Sequence, residues 1–143
     1  MTRFRQTFDQ MLARQNIQKP RRHPQEKEHH LQTSCVNWFR YQYPQYRHNL
    51  FAVPNGGRRD KVTGAKMKEE GVLAGVADLI LLKSNAQYGA LLIEMKDQKG
   101  RQSESQKEWQ QLIEADGYKY VICRSFEDFV REVASYLSSV SHP

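Results

Sequence analysis

A chain of 143 residues and 16.8 kDa can fill one hydrophobic core and is too short for two, so one domain is expected. Its 22 Lys and Arg against 16 Asp and Glu give a formal charge of +6 and a pI of about 9.4, which suits a polyanionic partner because clustered cations release counterions when they meet a phosphate backbone. No apolar run approaches the roughly eighteen residues of a membrane span, charges and glutamines stand where a signal peptide has its apolar segment, and Cys35 and Cys123 lack metal-ligand spacing; a cytoplasmic protein with two reduced, buried thiols is expected.

Residues 1–25 read as a loose basic arm. Arg3, Arg5, Arg14, Lys19, Arg21 and Arg22 face one acid, Asp9, and prolines 20 and 24 close the segment, although Phe4, Phe8, Met11 and Leu12 are spaced for one short amphipathic helix. Such an arm either solubilises the chain or lies along DNA. Residues 26–140 read as the folded domain. Leu31, Cys35, Trp38 and Gln42 recur at helical steps and predict a helix from about Glu26 to Tyr41, stopped by Pro44. A strand over His48–Val53 runs into the turn Pro54-Asn55-Gly56-Gly57, which Arg58, Arg59 and Lys61 follow, and a polar helix or irregular segment fills Lys61 to Glu70.

Ala77–Leu82 and Ala90–Met95 are short apolar runs around a polar turn, the pattern of an antiparallel hairpin; with its centre near Ala86, Asp78 lies opposite Glu94. Alternation along the strand puts Leu92, Glu94 and Lys96 on one face. A helix from Ser103 or Ser105 to Glu114 is predicted to turn Trp109, Leu112 and Ile113 to the sheet and to end at Gly117. Tyr118–Cys123 reads as a strand, and Phe126, Phe129, Val130, Val133 and Leu137 as a last helix opened by Ser125 with Asp128 three residues on. A helix between the third and fourth strands demands a crossover, so an α/β fold is expected, its mixed sheet covered by helices on both faces.

Asp78 and Glu94 interrupt apolar strands. A buried carboxylate must meet water, a cation or a basic side chain, and two side by side repel each other. A divalent cation such as Mg²⁺ suits hard oxygen ligands completed by water and substrate phosphate. Lys96, on the face of Glu94, can hold or polarise an attacking water; a plain salt bridge is the alternative. The Asn55, Gly56, Gly57, Arg58, Arg59 segment, with Lys61 beyond it, offers glycines for close backbone approach and guanidiniums for phosphate, or else is a solvated loop. His29 and His30 diverge by about one hundred degrees on a helix, have no third ligand at zinc spacing and read as surface residues.

The combination of Glu28 and Gln32 four apart on the first helix, Gly75-Val76-Ala77-Asp78, Glu94-Met95-Lys96, Gln106 and Tyr118 resembles the VRR-NUC domains, a branch of the PD-(D/E)XK nuclease superfamily, over roughly Glu26 to Leu137. Ala77 stands where that family usually has proline; since the proline binds no metal, the ligand set is expected to survive. The resemblance implies a restriction-endonuclease-like core and Mg²⁺ or Mn²⁺ held by Asp78, Glu94 and the Met95 carbonyl, with Glu28 reaching the metal directly or through water; Gln106, at the start of the next helix, is read as acting toward Lys96 or a phosphate. Glu28 is otherwise a solvated first-turn acid, and a capping box explains Gln106 without any substrate. The activity implied is hydrolysis of DNA phosphodiester bonds, selective for branched, flapped or Holliday-junction DNA and carried out by a homodimer. No base-reading motif is present. A catalytically silent DNA-binding subunit and an RNA-directed nuclease are the competing readings.

Overall fold

Pro24, with its φ already helical, opens α1 (Pro24–Gln42), which buries Cys35 and Phe39 and lays Leu31, Val36 and Trp38 against the same core. The computed structural model describes residues 24–54 and 61–140; most of the basic arm and the whole Asn55–Arg59 segment lie outside them. A single 3₁₀ turn at Pro44–Tyr46 ends the first helical segment and leads into β1 (Leu50–Ala52). The short α2 (Lys61–Glu69) follows, with no buried residue.

β2 (Leu79–Leu81), β3 (Leu91–Met95) and β4 (Lys119–Cys123) complete a sheet ordered β1-β2-β3-β4 among the described residues. Its first two pairings are antiparallel and the third is parallel, joined by the crossover helix α3 (Glu104–Ala115). The partners Leu79↔Ile93 and Leu81↔Leu91 centre the hairpin on Ala86, the centre expected from the sequence. Asn85 Oδ1 accepts from the N–H of Gln87 (2.9 Å) and Tyr88 (2.7 Å) inside the turn, and Ala86 N–H donates to Ser139 O (2.9 Å) at the end of α4 (Phe126–Ser138).

β3 is buried on both sides, and alternation splits the apolar residues into two cores. Leu91, Ile93 and Met95 face α1 and α4, together with Leu79, Leu81 and Cys123, and there Phe129, Val133 and Tyr136 of α4 are fully enclosed. Ala90, Leu92 and Tyr120 face Trp109 and Ile113 of α3. The thiols of Cys35 and Cys123 are free and buried, and burial pushes both up to about 12, so neither is reactive near neutrality.

Three expectations are corrected. The strands are shorter than predicted: β1 keeps only Leu50–Ala52, β2 Leu79–Leu81, β3 Leu91–Met95 and β4 Lys119–Cys123. Leu112 points to solvent, 67% exposed: Gln106, Trp109 and Ile113 already form the stripe facing the sheet, and Leu112 is rotated by about 100° from Ile113. Tyr136, absent from the predicted apolar stripe of the last helix, is one of its buried residues and hydrogen-bonds the carbonyl of Lys83. Among the described residues no helix is long and apolar enough to cross a membrane.

Candidate active site

Glu94 occupies the fourth position of β3, on the α3 side of the sheet, with 1% of its surface exposed. The hairpin register brings Asp78, the residue before β2, level with it. Asp78 Oδ2 accepts from Met95 N–H (2.8 Å), while its own carbonyl accepts from Val53 N–H (2.8 Å), so backbone on both neighbouring strands holds it in place. The two carboxyl groups are close enough for Asp78 to hydrogen-bond Glu94. Burial first, and the Asp78 charge second, push Glu94 from an ordinary 4.5 up to about 8, against the pull of Lys96.

Lys96 projects to the same side, as alternation requires, and its Nζ lies 3.4 Å from Glu94 Oε1 with only 13% of the side chain exposed. Gln106 reaches the same oxygen: its Nε2 donates to Glu94 Oε1 (2.8 Å). Both readings of Gln106 are realised together, since its Oε1 accepts from Ser103 N–H (2.8 Å) while Ser103 Oγ accepts from Gln106 N–H (3.3 Å), a complete capping box at the start of α3. Its side-chain partner at the centre is therefore Glu94, where Lys96 or a phosphate was expected.

Gly75 explains how α3 comes so near. Its φ of +89° is left-handed, and a Cβ there would stand 2.4 Å from Ser105 O, so only glycine lets the turn before Asp78 lie against the first turn of α3.

Tyr120 is a member of the centre that sequence reasoning missed. Its hydroxyl donates to Glu94 Oε2 (3.5 Å) and accepts from Gln102 Nε2 (3.2 Å), which also donates to Gln110 Oε1 (2.8 Å). Burial pushes the phenol upward, so it stays a donor. The available signal was register: Tyr120 pairs with Leu92 and so shares the face of Glu94. Tyr118, matched to the family's aromatic at the opening of the last strand, stands just before β4 and lies beside Gly89.

Glu28 does not join the acid pair. α1 packs on the opposite face of the sheet, and Glu28 Oε1 accepts from Asp97 N–H (3.4 Å) in the loop after β3. Among the described residues no group of three His, Cys, Asp or Glu stands together as a metal site, so the three-carboxylate arrangement is not assembled. His29 and His30 are exposed neighbours whose rings meet edge to face. Lys61, exposed, opens α2. The Asn55, Gly56, Gly57, Arg58, Arg59 segment lies outside the described residues, but the chain departs toward it from Val53, bonded to Asp78.

The donor set fits one hard divalent cation. Two facing carboxylates, one dried and held above its ordinary pKa even with Lys96 beside it, suit an ion of the Mg²⁺ type, which takes one or two carboxylates and completes its shell with water and substrate phosphate. Asp78, Glu94 and the carbonyl of Met95 are the residues that would hold it.

Among curated protein sequences none matches this chain. A solved structure described as a VRR_NUC domain protein is 25% identical and superposes with a TM-score of 0.70, over 80% of this chain and 90% of that one. The profile of the VRR-NUC domain matches residues 12–127. On this match, which spans most of the sequence, and on a mixed sheet flanked by helices in the PD-(D/E)XK manner, the chain belongs to the VRR-NUC nuclease family.

Proposed function

We propose that this chain is an Mg²⁺-dependent endonuclease that hydrolyses DNA phosphodiester bonds at Asp78, Glu94 and Lys96. The observation that carries the reading is the dried pair of facing acids with one lysine on the same side. A cation bound there, Mg²⁺ or Mn²⁺, supplies Lewis-acid polarisation of a phosphoryl oxygen and of water.

The chain's own groups do the rest. Asp78 and Glu94 offer their oxygens to the ion, and each is fixed by donors that do not depend on substrate: Met95 N–H for Asp78, Gln106 and Tyr120 for Glu94. Fixed donors cost no reorganisation when charge moves. Lys96 is placed to hold a water for in-line attack, or to meet charge building on the phosphoryl oxygens.

Selectivity for branched DNA and action as a homodimer belong to the same proposal, because one domain of this size has little surface with which to span a junction. The test is cleavage of labelled linear duplex, flap and four-way junction DNA, with and without Mg²⁺, beside Glu94→Ala. Cutting that needs Mg²⁺, favours branched substrates and is absent in the variant is expected; equal cutting by Glu94→Ala would remove the site from the reaction. Sedimentation should give twice the 16.8 kDa chain mass. A monomer that still prefers junctions would separate selectivity from dimerisation.

A further inference from the structure

On the other side of the loop that follows Lys96, α1 and the start of the β4–α4 connection enclose a cleft of about 290 Å³, lined by Lys27, Leu31, Asp97, Gln98, Lys99 and Arg124. Three of these six residues are cations. None has a carboxylate within ion-pair distance among the described residues. The one acid of the lining is turned inward, its Oδ1 accepting from the N–H of Lys99 (2.9 Å) and Gly100 (2.5 Å). Asp128, in the first turn of α4 just beyond Arg124, is occupied by the Arg124 N–H (3.0 Å) and by Arg131 (3.0 Å).

The cleft is held in shape from three directions. Arg124 Nη1 donates to Asp97 O (2.9 Å) and Gly100 O (2.6 Å), Gln98 Nε2 donates back to Arg124 O (3.2 Å), and Glu28 ties Asp97 N–H to α1. The loop is therefore braced before any ligand arrives, which lowers the ordering cost of binding. Only Nη1 of the guanidinium is engaged among the described residues, leaving the rest of its fork for an anion; Lys27 and Lys99 add mobile point charges, and Leu31 gives an apolar wall. At about 290 Å³ the space is at the small end for a ligand site, enough for one phosphate with part of its sugar.

The rim of the cleft, Asp97, is the residue after Lys96, and a Cβ added at Gly100 would stand 3.2 Å from the Lys96 stem and 3.4 Å from Glu28 Oε1. We infer that the cleft seats a DNA backbone phosphate flanking the one presented to Asp78 and Glu94, with Lys27, Lys99 and Arg124 as its contacts. The inference rests on the nuclease reading for which phosphate is cut. It gives Glu28 a purpose that needs no metal: positioning the loop between the two phosphates.

The test pairs a protein change with a DNA change. Lys27 and Lys99 are exposed and brace nothing with their side chains, so Lys27→Ala/Lys99→Ala should melt as the wild type does. Binding is measured with divalent metal chelated, on duplexes carrying one neutral methylphosphonate at each successive position of a strand, and cleavage of the same duplexes with metal restored locates the cut. The wild type should lose roughly tenfold in affinity for a neutral linkage at one position beside the cut, the size of one charge-assisted contact. The double variant should already have lost about that much and be blind to that position alone. Equal sensitivity of both proteins at every position would overturn the inference, as would a wild type that does not bind duplex. A wild type that binds with this coupling but never cuts with Mg²⁺ or Mn²⁺ would overturn the nuclease reading and leave the cleft standing.

Discussion

Glu94 holds its proton to an unusual pH because its surroundings are dry and Asp78 is beside it. In the unfolded chain it ionises near 4.5 and in the folded protein near 8. Between those values the folded state keeps a proton that the unfolded state has released, so this group's contribution to stability is most favourable below 4.5, declines as pH rises and is least favourable above 8. With metal chelated, the melting temperature should fall from about pH 5 to about pH 9, and Glu94→Gln should flatten that slope and melt higher than wild type at the alkaline end. An equally steep slope in the variant would assign it to another group. Mg²⁺ added at alkaline pH should raise the wild-type melting temperature and leave that of Glu94→Gln unmoved. Lys96 meets the same carboxylate, its Nζ 3.4 Å from Glu94 Oε1, and in the proposed reaction it acts later, when charge builds on the phosphate. Lys96→Met should lower kcat by about 10²-fold or more while DNA affinity stays within about threefold, a split read by single-turnover and binding measurements. If both fell together, Lys96 would be a ground-state contact.

Two glycines separate backbone conformation from close approach. Gly71 and Gly75 both have positive φ, +103° and +89°, but a Cβ at Gly71 meets nothing within 4 Å whereas one at Gly75 collides with Ser105. Gly71→Ala should cost roughly 1–2 kcal/mol, the ordinary penalty of a left-handed residue with a side chain. Gly75→Ala should cost clearly more and should also depress turnover, because α3 must retreat and take Gln106 away from Glu94; chemical denaturation and cleavage rates would show whether the two losses go together. This level also marks how far the sequence could be read. The hairpin, its centre at Ala86 and the facing of Asp78 and Glu94 follow from period-two alternation, and the start of α3 from Ser103 and Gln106. Tyr120 was not legible as part of the centre, since its place beside Glu94 depends on the parallel register of β3 with β4, which no local pattern encodes. Glu28 falls on the first helix as expected, but α1 packs Leu31 and Cys35 on the face of the sheet away from Glu94, and Glu28 bonds the Asp97 N–H.

At the scale of the whole molecule the fold class was legible because elements alternate in chain order, while the division into two cores was not, since β3 is apolar on both sides and a continuous apolar run does not say which helix covers which side. That same burial of β3 has a kinetic consequence. Glu94 is dried only when α3 and β4 have both closed over it, and the Tyr120 hydroxyl that completes its surroundings comes 26 residues later in the chain. Pairing over such a distance is slow because the loop must close before the contacts form. Here closure must also strip water from a carboxylate, a barrier that a proton removes. Refolding without metal should therefore be faster at about pH 5 than at about pH 9, and Glu94→Gln should refold at one rate across that range, as stopped-flow fluorescence of Trp109 beside Tyr120 can follow. The acid proposed to hold the cation should then be, in the metal-free chain, a brake on its own assembly.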